Sequence, residues 1–544
     1  MAFGPLSMAR APPALLEHRG MTRRPLSGGL LECSGWPHAA PRSPNRFTTT
    51  AMLLTLLLLA PNPLAPGLSP PLTALALVQE QQQDVGYVRA ESVALERAVM
   101  QLAELGEWCQ KNRAFLQRNR AFEAVLLWDS GHELARKTLG WKWEKSTSAW
   151  TQKRKPRVPK DQSKANADEA ITKRAGILEP LRDSLIAAMD VDKTLSGERR
   201  QGVLDTLLEA MPNDATLRER SGYALASPDA DADAEPVWIL KASKRALEQR
   251  KILAKRRDEL YSEDPAHKTA EPTESEQRLA MDWSAILSNG LVRALSTEGA
   301  EEAERALHAC SVSIEYTREV FGHLLHPKYS IYLIDNDLQR SQFIRAWPSI
   351  DDARRELLLR MDGSTMGYDQ LGAWGDTSDK RVDSAVRQAL SLQMVQRFGL
   401  TGKSAWIHEG FGMYLTHDLI GTRLTYFSRV TNYVEGGEDN WDRDIKDPSA
   451  DWLAMAREEL EGPRPPNLAF TLGRDVNELK PRDLIVSYAL ASFFMEGHEP
   501  KLCQKLFTEI GNGKNPVATV EKLLGYGLPT LTKRLHTFLV ETGS

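Results

Sequence analysis

One pattern that occurs twice constrains this chain more than any other. Leu126-Leu127 closes an apolar helix, a turn follows at Asp129-Ser130-Gly131, and the next helix sets Arg136 four residues ahead of Gly140-Trp141, with Trp150 beyond. Leu207-Leu208, the turn Met211-Pro212-Asn213, Arg218, Gly222-Tyr223 and Trp238 repeat that order about 82 residues later. A helix with one apolar face must bury it on a neighbour, so a repeated pair predicts stacked helix-turn-helix units. The preceding stretch agrees. Val93, Leu95, Val99, Leu102, Leu105 and Trp108 recur near the 3.6-residue period. Residues 84–262 therefore read as helix after helix, through Arg113–Trp128 and the highly charged Ala242–Leu260. Between the copies, the basic run Gln152–Lys160 and the polar stretch to Asn166 read as a solvated linker or a docking site for an acidic partner. The acidic loop Ser227–Glu235 lacks the glycine and terminal glutamate of a calcium loop.

Length leaves room for more than this region. The chain has 544 residues, 42% hydrophobic and 26% charged, enough for two to four cores. A net charge of −4 argues for no nucleic-acid partner, though it leaves room for local basic patches. Four cysteines are too few for a disulfide-built fold. Residues 1–83 read as a largely disordered leader. The uncharged run Ala51–Ala60 is ten residues, against the ~20 that a bilayer span needs, and suits a secretory signal. Arg23, Arg24, Arg42 and Arg46 supply a basic flank, and Ala74-Leu75-Ala76 an A-x-A cleavage pattern. The expectation is export to a periplasmic or extracellular space. An uncleaved anchor, which would be the chain's only membrane contact, or a start at Met21 or Met52 are the alternatives. Cys33 lacks the small neighbour of a lipid-attachment site, and Cys109, Cys310 and Cys503 read as buried free thiols.

Tyr261–Gln277, with two prolines and many charges, marks a boundary, giving a linker over 263–278 and a second domain over 279–544. Its expected order is a helix to Phe321, a strand over Lys328–Asp335, helical segments at Asp337–Phe343 and Asp351–Met361, and a hairpin or loop over Met366–Gly375. A long helix Asp383–Phe398 ends at Gly399, another spans Ser404–Leu415, and three or four helices follow Pro481. The carboxylates of Asp335-Asn336-Asp337 and Asp351-Asp352 read as helix caps or solvated loops.

The most distinctive stretch is Trp406-Ile-His408-Glu409-Gly410-Phe-Gly-Met-Tyr414. Its W-x-x-E-G-x-x-x-Y spacing, the element order before it and Tyr488-Ala-Leu-Ala-Ser after it resemble the peptidase MA-like domain of gluzincin zinc metallopeptidases. The resemblance covers about Leu279–Leu539, with a catalytic-like core over 297–430 and a helical tail over 450–540. The first half resembles tetratricopeptide-like repeats, although those recur every 34 residues. Together these imply a mostly α chain: a helical-repeat region, then an α+β zincin-like domain with a small sheet and a helical tail. In the gluzincins the long helix bears H-E-x-x-H, and the Glu of the E-G helix is the third zinc ligand. Two imidazoles at i and i+4 share one helix face and reach one zinc, and the Glu between them takes a proton from zinc-bound water.

This chain departs from that pattern at the metal. The resemblance sets Gln388 and Leu392 at the histidine positions and Ala389 at the glutamate position. No His lies between His326 and His408, and no Glu between Glu356 and Glu409. Zinc is thus implied by the family while its ligands are missing; Glu409 alone keeps a ligand position. Trp406, His408, Glu409, Tyr414, Gln388, Ala389 and Leu392 are the candidates for a vestigial pocket. His408 and His417 fall on opposite helix faces at ~100° per residue. The chain has no G-x-S-x-G elbow, P-loop, G-x-G-x-x-G or C-x-x-C. The leading expectation is an exported pseudopeptidase that binds a protein or peptide. The alternatives are a hydrolase with an atypical ligand set, Glu409 with His323 or His326, and an adaptor built on the repeats.

Overall fold

The computed structural model describes residues 72–543 apart from 157, 228–235, 264–265, 323–327, 349, 401–403, 422–444, 446, 448 and 476–477; side chains are described from residue 90 onward. The chain is mostly helical, with nineteen helices among the described residues and three small sheets.

The first half is α1 (Leu72–Lys111), α2 (Phe115–Trp128), α3 (Glu133–Thr138), β1 (Trp141–Glu144), β2 (Ala149–Gln152), α4 (Lys164–Val191), α5 (Gly197–Ala210), α6 (Ala215–Arg220), β3 (Tyr223–Ala226), β4 (Val237–Leu240) and α7 (Lys241–Ser262). The paired segments repeat hydrogen bond by hydrogen bond. Asp129 N–H donates to Val125 O and Met211 N–H to Leu207 O; His132 caps Ala135 and Asp214 caps Leu217. Gly140 and Gly222 then turn the chain with φ of 86° and 85°, a conformation that favours glycine. Each accepts a bond from the residue after the hairpin, Lys153 and Lys241.

Two expectations need correction here. The segment after each glycine is a two-stranded antiparallel hairpin, not more helix. Trp141-Lys-Trp143-Glu and Ala149-Trp150-Thr-Gln alternate with period two, and a four-residue strand is easily lost beside long helical runs. The stretch 72–83, expected in a disordered leader, lies within α1. Its Ala, Leu, Gln and Glu are strong helix formers. The Ala51–Ala60 run lies outside the described residues.

The second half is β5 (Lys268–Thr269), α8 (Glu274–Gln277), β6 (Ala285–Ser288), β7 (Val292–Ser296), α9 (Ala300–Phe321), β8 (Tyr329–Leu333), α10 (Asp337–Ala346), α11 (Asp352–Leu358), β9 (Gly363–Thr365), β10 (Gln370–Ala373), α12 (Ser378–Phe398), α13 (Ala405–Ile420), α14 (Trp452–Glu461), α15 (Leu468–Gly473), α16 (Pro481–Gly497), α17 (Pro500–Gly511), α18 (Pro516–Leu524) and α19 (Leu528–Glu541). The sheet runs β5-β6-β7-β8-β10-β9, with β7, β8 and β10 parallel. Both faces are covered. Leu287, Ala294, Ile331, Leu333 and Leu371 pack under α9 and α12, while Ile286, Leu295 and Tyr332 pack with Phe343, Ile344 and Trp347. Asn336 and Asp351 cap α10 and α11 through Gln339 N–H and Arg354 N–H. Cys109, Cys310 and Cys503 are buried and free.

The boundary read at 263–278 does not separate two packed bodies. β5 of that segment extends the sheet, and buried Glu276 holds Arg293 of β7 at 2.7 Å. Leu253 and Leu260 of α7 sit in the same core as α9, α12 and α16. Residues 70–544 cluster as one unit. Two arginines of α7 form a seam with the second half: Arg250 reaches Glu496 at 2.6 Å and Arg257 reaches Asp418 at 3.4 Å. α19 returns to the first half. Arg534 donates to Ser221 O at 2.7 Å, and Glu541 accepts from Leu240 N–H at 2.9 Å.

Candidate functional site

α12 begins at Thr377, whose side chain accepts from Lys380 N–H, and ends at Gly399. It is amphipathic in an unusual sense: Asp383, Ser384, Arg387 and Gln388 are buried along with its apolar residues. α13 is buried over nearly its whole length. It can cross α16 closely because residue 410 is glycine; a Cβ there would come 2.2 Å from Ser487 O. The glycine of the E-G pair is thus accounted for by helix packing.

The centre of the site is a buried ion pair that spacing did not reveal. Arg387 Nη2 lies 2.6 Å from Glu409 Oε2, with the side chains 1% and 6% exposed. The guanidinium rests against Gly412, where an added Cβ would sit 3.4 Å from Cζ. A buried carboxylate needs a cation or several donors. Here that cation is an arginine on the neighbouring helix. The one available sequence signal was a cation directly before Gln388 on a helix with little free polar surface.

The remaining expected residues are brought together, but as structure. Gln388 Nε2 donates to Gly372 O of β10 and to Ser384 Oγ, both at 3.0 Å, tying α12 to the sheet. Its Oε1 is buried with no donor among the described residues. Ala389 is fully buried and Leu392 packs partly buried against the same core. His408 is 8% exposed and its Nδ1 lies 3.4 Å from Ser391 Oγ. Trp406 is buried between Phe411 and Phe494, each centroid 6.1 Å away.

Tyr414 leads outward to the seam. Its hydroxyl donates to Glu496 Oε1 at 3.0 Å, and Glu496 Oε2 accepts from Arg250 Nε at 2.6 Å. Burial pushes the Glu496 carboxyl up, against the pull of Arg250 and Tyr414. A second group of the same make-up lies at the far end of α13, where Tyr316 donates to Asp418 at 2.6 Å and burial raises the Asp418 carboxyl. A cavity of about 750 Å³ opens there between α7, α9, α12 and α13; Arg257, His308 and Asp418 line it and none of the expected site residues does.

These residues do not fit zinc. Glu409 is committed to a guanidinium, Gln388 presents its amide NH2 to a carbonyl, and Ala389 and Leu392 have no donor atom. Among the described residues no group of three or more His, Cys, Asp or Glu is placed to hold a metal. His323 and His326 lie outside the described residues. No described helix is long and apolar enough to cross a membrane. No protein-family model, no curated protein and no solved structure matches the chain.

Proposed function

We propose that the chain is an exported, non-catalytic homologue of the gluzincin zinc metallopeptidases that works by binding a protein or peptide. The Arg387–Glu409 pair carries this reading. An internal cation 2.6 Å from the carboxylate supplies the countercharge that a metal would otherwise supply. The order of sheet, β9-β10 hairpin, α12 beneath β10, and α13 supports the zincin-like half of the proposal. A groove of about 830 Å³ between α2, α4 and the α5–α6 turn supports the binding half. Leu127 and Leu178 give it apolar walls, and Arg120, Glu123, Arg174 and Glu179 give it charges of both signs. Such a lining suits a peptide of mixed composition.

Two measurements test this. Elemental analysis of the purified chain is expected to find no stoichiometric zinc, and peptidase assays no turnover that a chelator abolishes. One zinc per chain, lost together with proteolysis on chelation, would refute the proposal. Partners that co-purify with the wild type are expected to be lost with Arg120→Glu, and their retention would move the binding site elsewhere.

A further inference from the structure

We infer that the β1–β2 hairpin is a docking surface for a membrane bearing anionic lipid headgroups. Its sequence concentrates charge: seven cations and one carboxylate lie between Lys142 and Lys160. The structure sets the start of the basic run at the base of the hairpin, where Lys153 N–H donates to Gly140 O. Lys142, Lys145, Arg154 and Lys155 are exposed, and the single carboxylate, Glu144, is held by Lys153.

The aromatic side of the hairpin supplies the second requirement. Trp143 and Trp150 are cross-strand partners, packed edge to face with centroids 5.6 Å apart. Arg136 lies over Trp141 at 4.7 Å and over Trp150 at 5.8 Å, covering both. Trp143 stays 45% exposed, and Val158 in the basic run 41%. One open indole on a hairpin that also carries exposed cations is the make-up of an interfacial anchor: the ring settles at headgroup depth while lysines meet the phosphates. A single-strand nucleic-acid platform would instead need successive open rings along a groove.

The second copy argues that this chemistry is not a folding requirement. β3 and β4 pair in the same way after the same glycine turn. Yet residues 223–240 contain four carboxylates and no cation. Arg218 still stacks on Tyr223 at 5.0 Å, so the stacking is kept while the charge is reversed. The surface does not depend on how α12 and α13 are read.

The test uses the full chain and sedimentation with vesicles. The chain should pellet with equal parts phosphatidylglycerol and phosphatidylcholine, remain in solution with phosphatidylcholine alone, and be released by high salt. Removing charge as K142Q, K145Q and K155Q together should weaken binding about 100-fold, about five-fold per lysine. Trp143→Ala should weaken it several-fold further, whereas Val237→Ala in the second hairpin should leave it unchanged. Equal binding to neutral vesicles, wild-type binding by the triple variant, or capture of a single-stranded oligonucleotide with no binding to vesicles would each overturn the inference.

Discussion

Around the first hairpin, exposed cations face water and Glu144 pairs with Lys153; between α12 and α13, Arg387 is enclosed and pairs with Glu409. The same residue class does different physical work in the two places. Exposed charges interact through a high dielectric and contribute little to the fold, so they are free to change sign, as the second hairpin does. An enclosed charge is bound to its partner, because removing one member of the pair takes countercharge from the other. The outer charges are therefore where to look for recognition, and the inner pair for what ties α12 to α13.

The inner pair offers the most severe way to break this contrast. Arg387→Met takes the guanidinium away from a buried carboxylate and should cost about 3–5 kcal/mol in denaturant unfolding, while Arg387→Met with Glu409→Leu should recover most of it. A single variant within about 1 kcal/mol of wild type would mean the pair is not truly enclosed. Next in size is Gly410→Ala. Its methyl meets backbone rather than a movable side chain, and a loss of about 1–3 kcal/mol is expected.

The seam sharpens the contrast through pH. Burial raises the Glu496 carboxyl above its ordinary 4.5, so the native chain holds that proton more tightly than the unfolded one. Its contribution is fully present below about pH 4.5 and is lost as pH rises through the native value. Glu496→Gln keeps an acceptor for Tyr414 and should flatten this part of the profile. Urea titrations at a series of pH values would expose an unchanged slope, which would place Glu496 in a more polar setting. Smallest of all, Lys142→Gln and Lys145→Gln should stay within about 0.5 kcal/mol of wild type in stability.

Much of the fold was legible because it is local. The helix of Cys310, the strand at Tyr329, the helix ending at Gly399 and four helices after Pro481 all follow from periodicity and punctuation. The first-half hairpins were not, since two strands of four residues lie between longer helices. The charge on α7 named no partners, and Arg250 and Arg257 find carboxylates 246 and 161 residues away. A period describes one element and says nothing of what lies against it. The site divided in the same way. Gln388, Ala389 and Glu409 could be singled out from motif positions, whereas the role of Arg387 emerges only when α12 and α13 are set side by side.

The return of α19 to the first half has a temporal consequence. Ser221 and Leu240 wait for Arg534 and Glu541, which follow them by 313 and 301 residues. At ribosomal speeds of about 5–20 residues per second, that interval is roughly 15–60 s. During it the nascent first half lacks its last wall and offers an open apolar edge to chaperones and proteases. A message truncated shortly before codon 528 would release a chain that never closes, and quality control would meet its defect near residue 220 rather than at its new end.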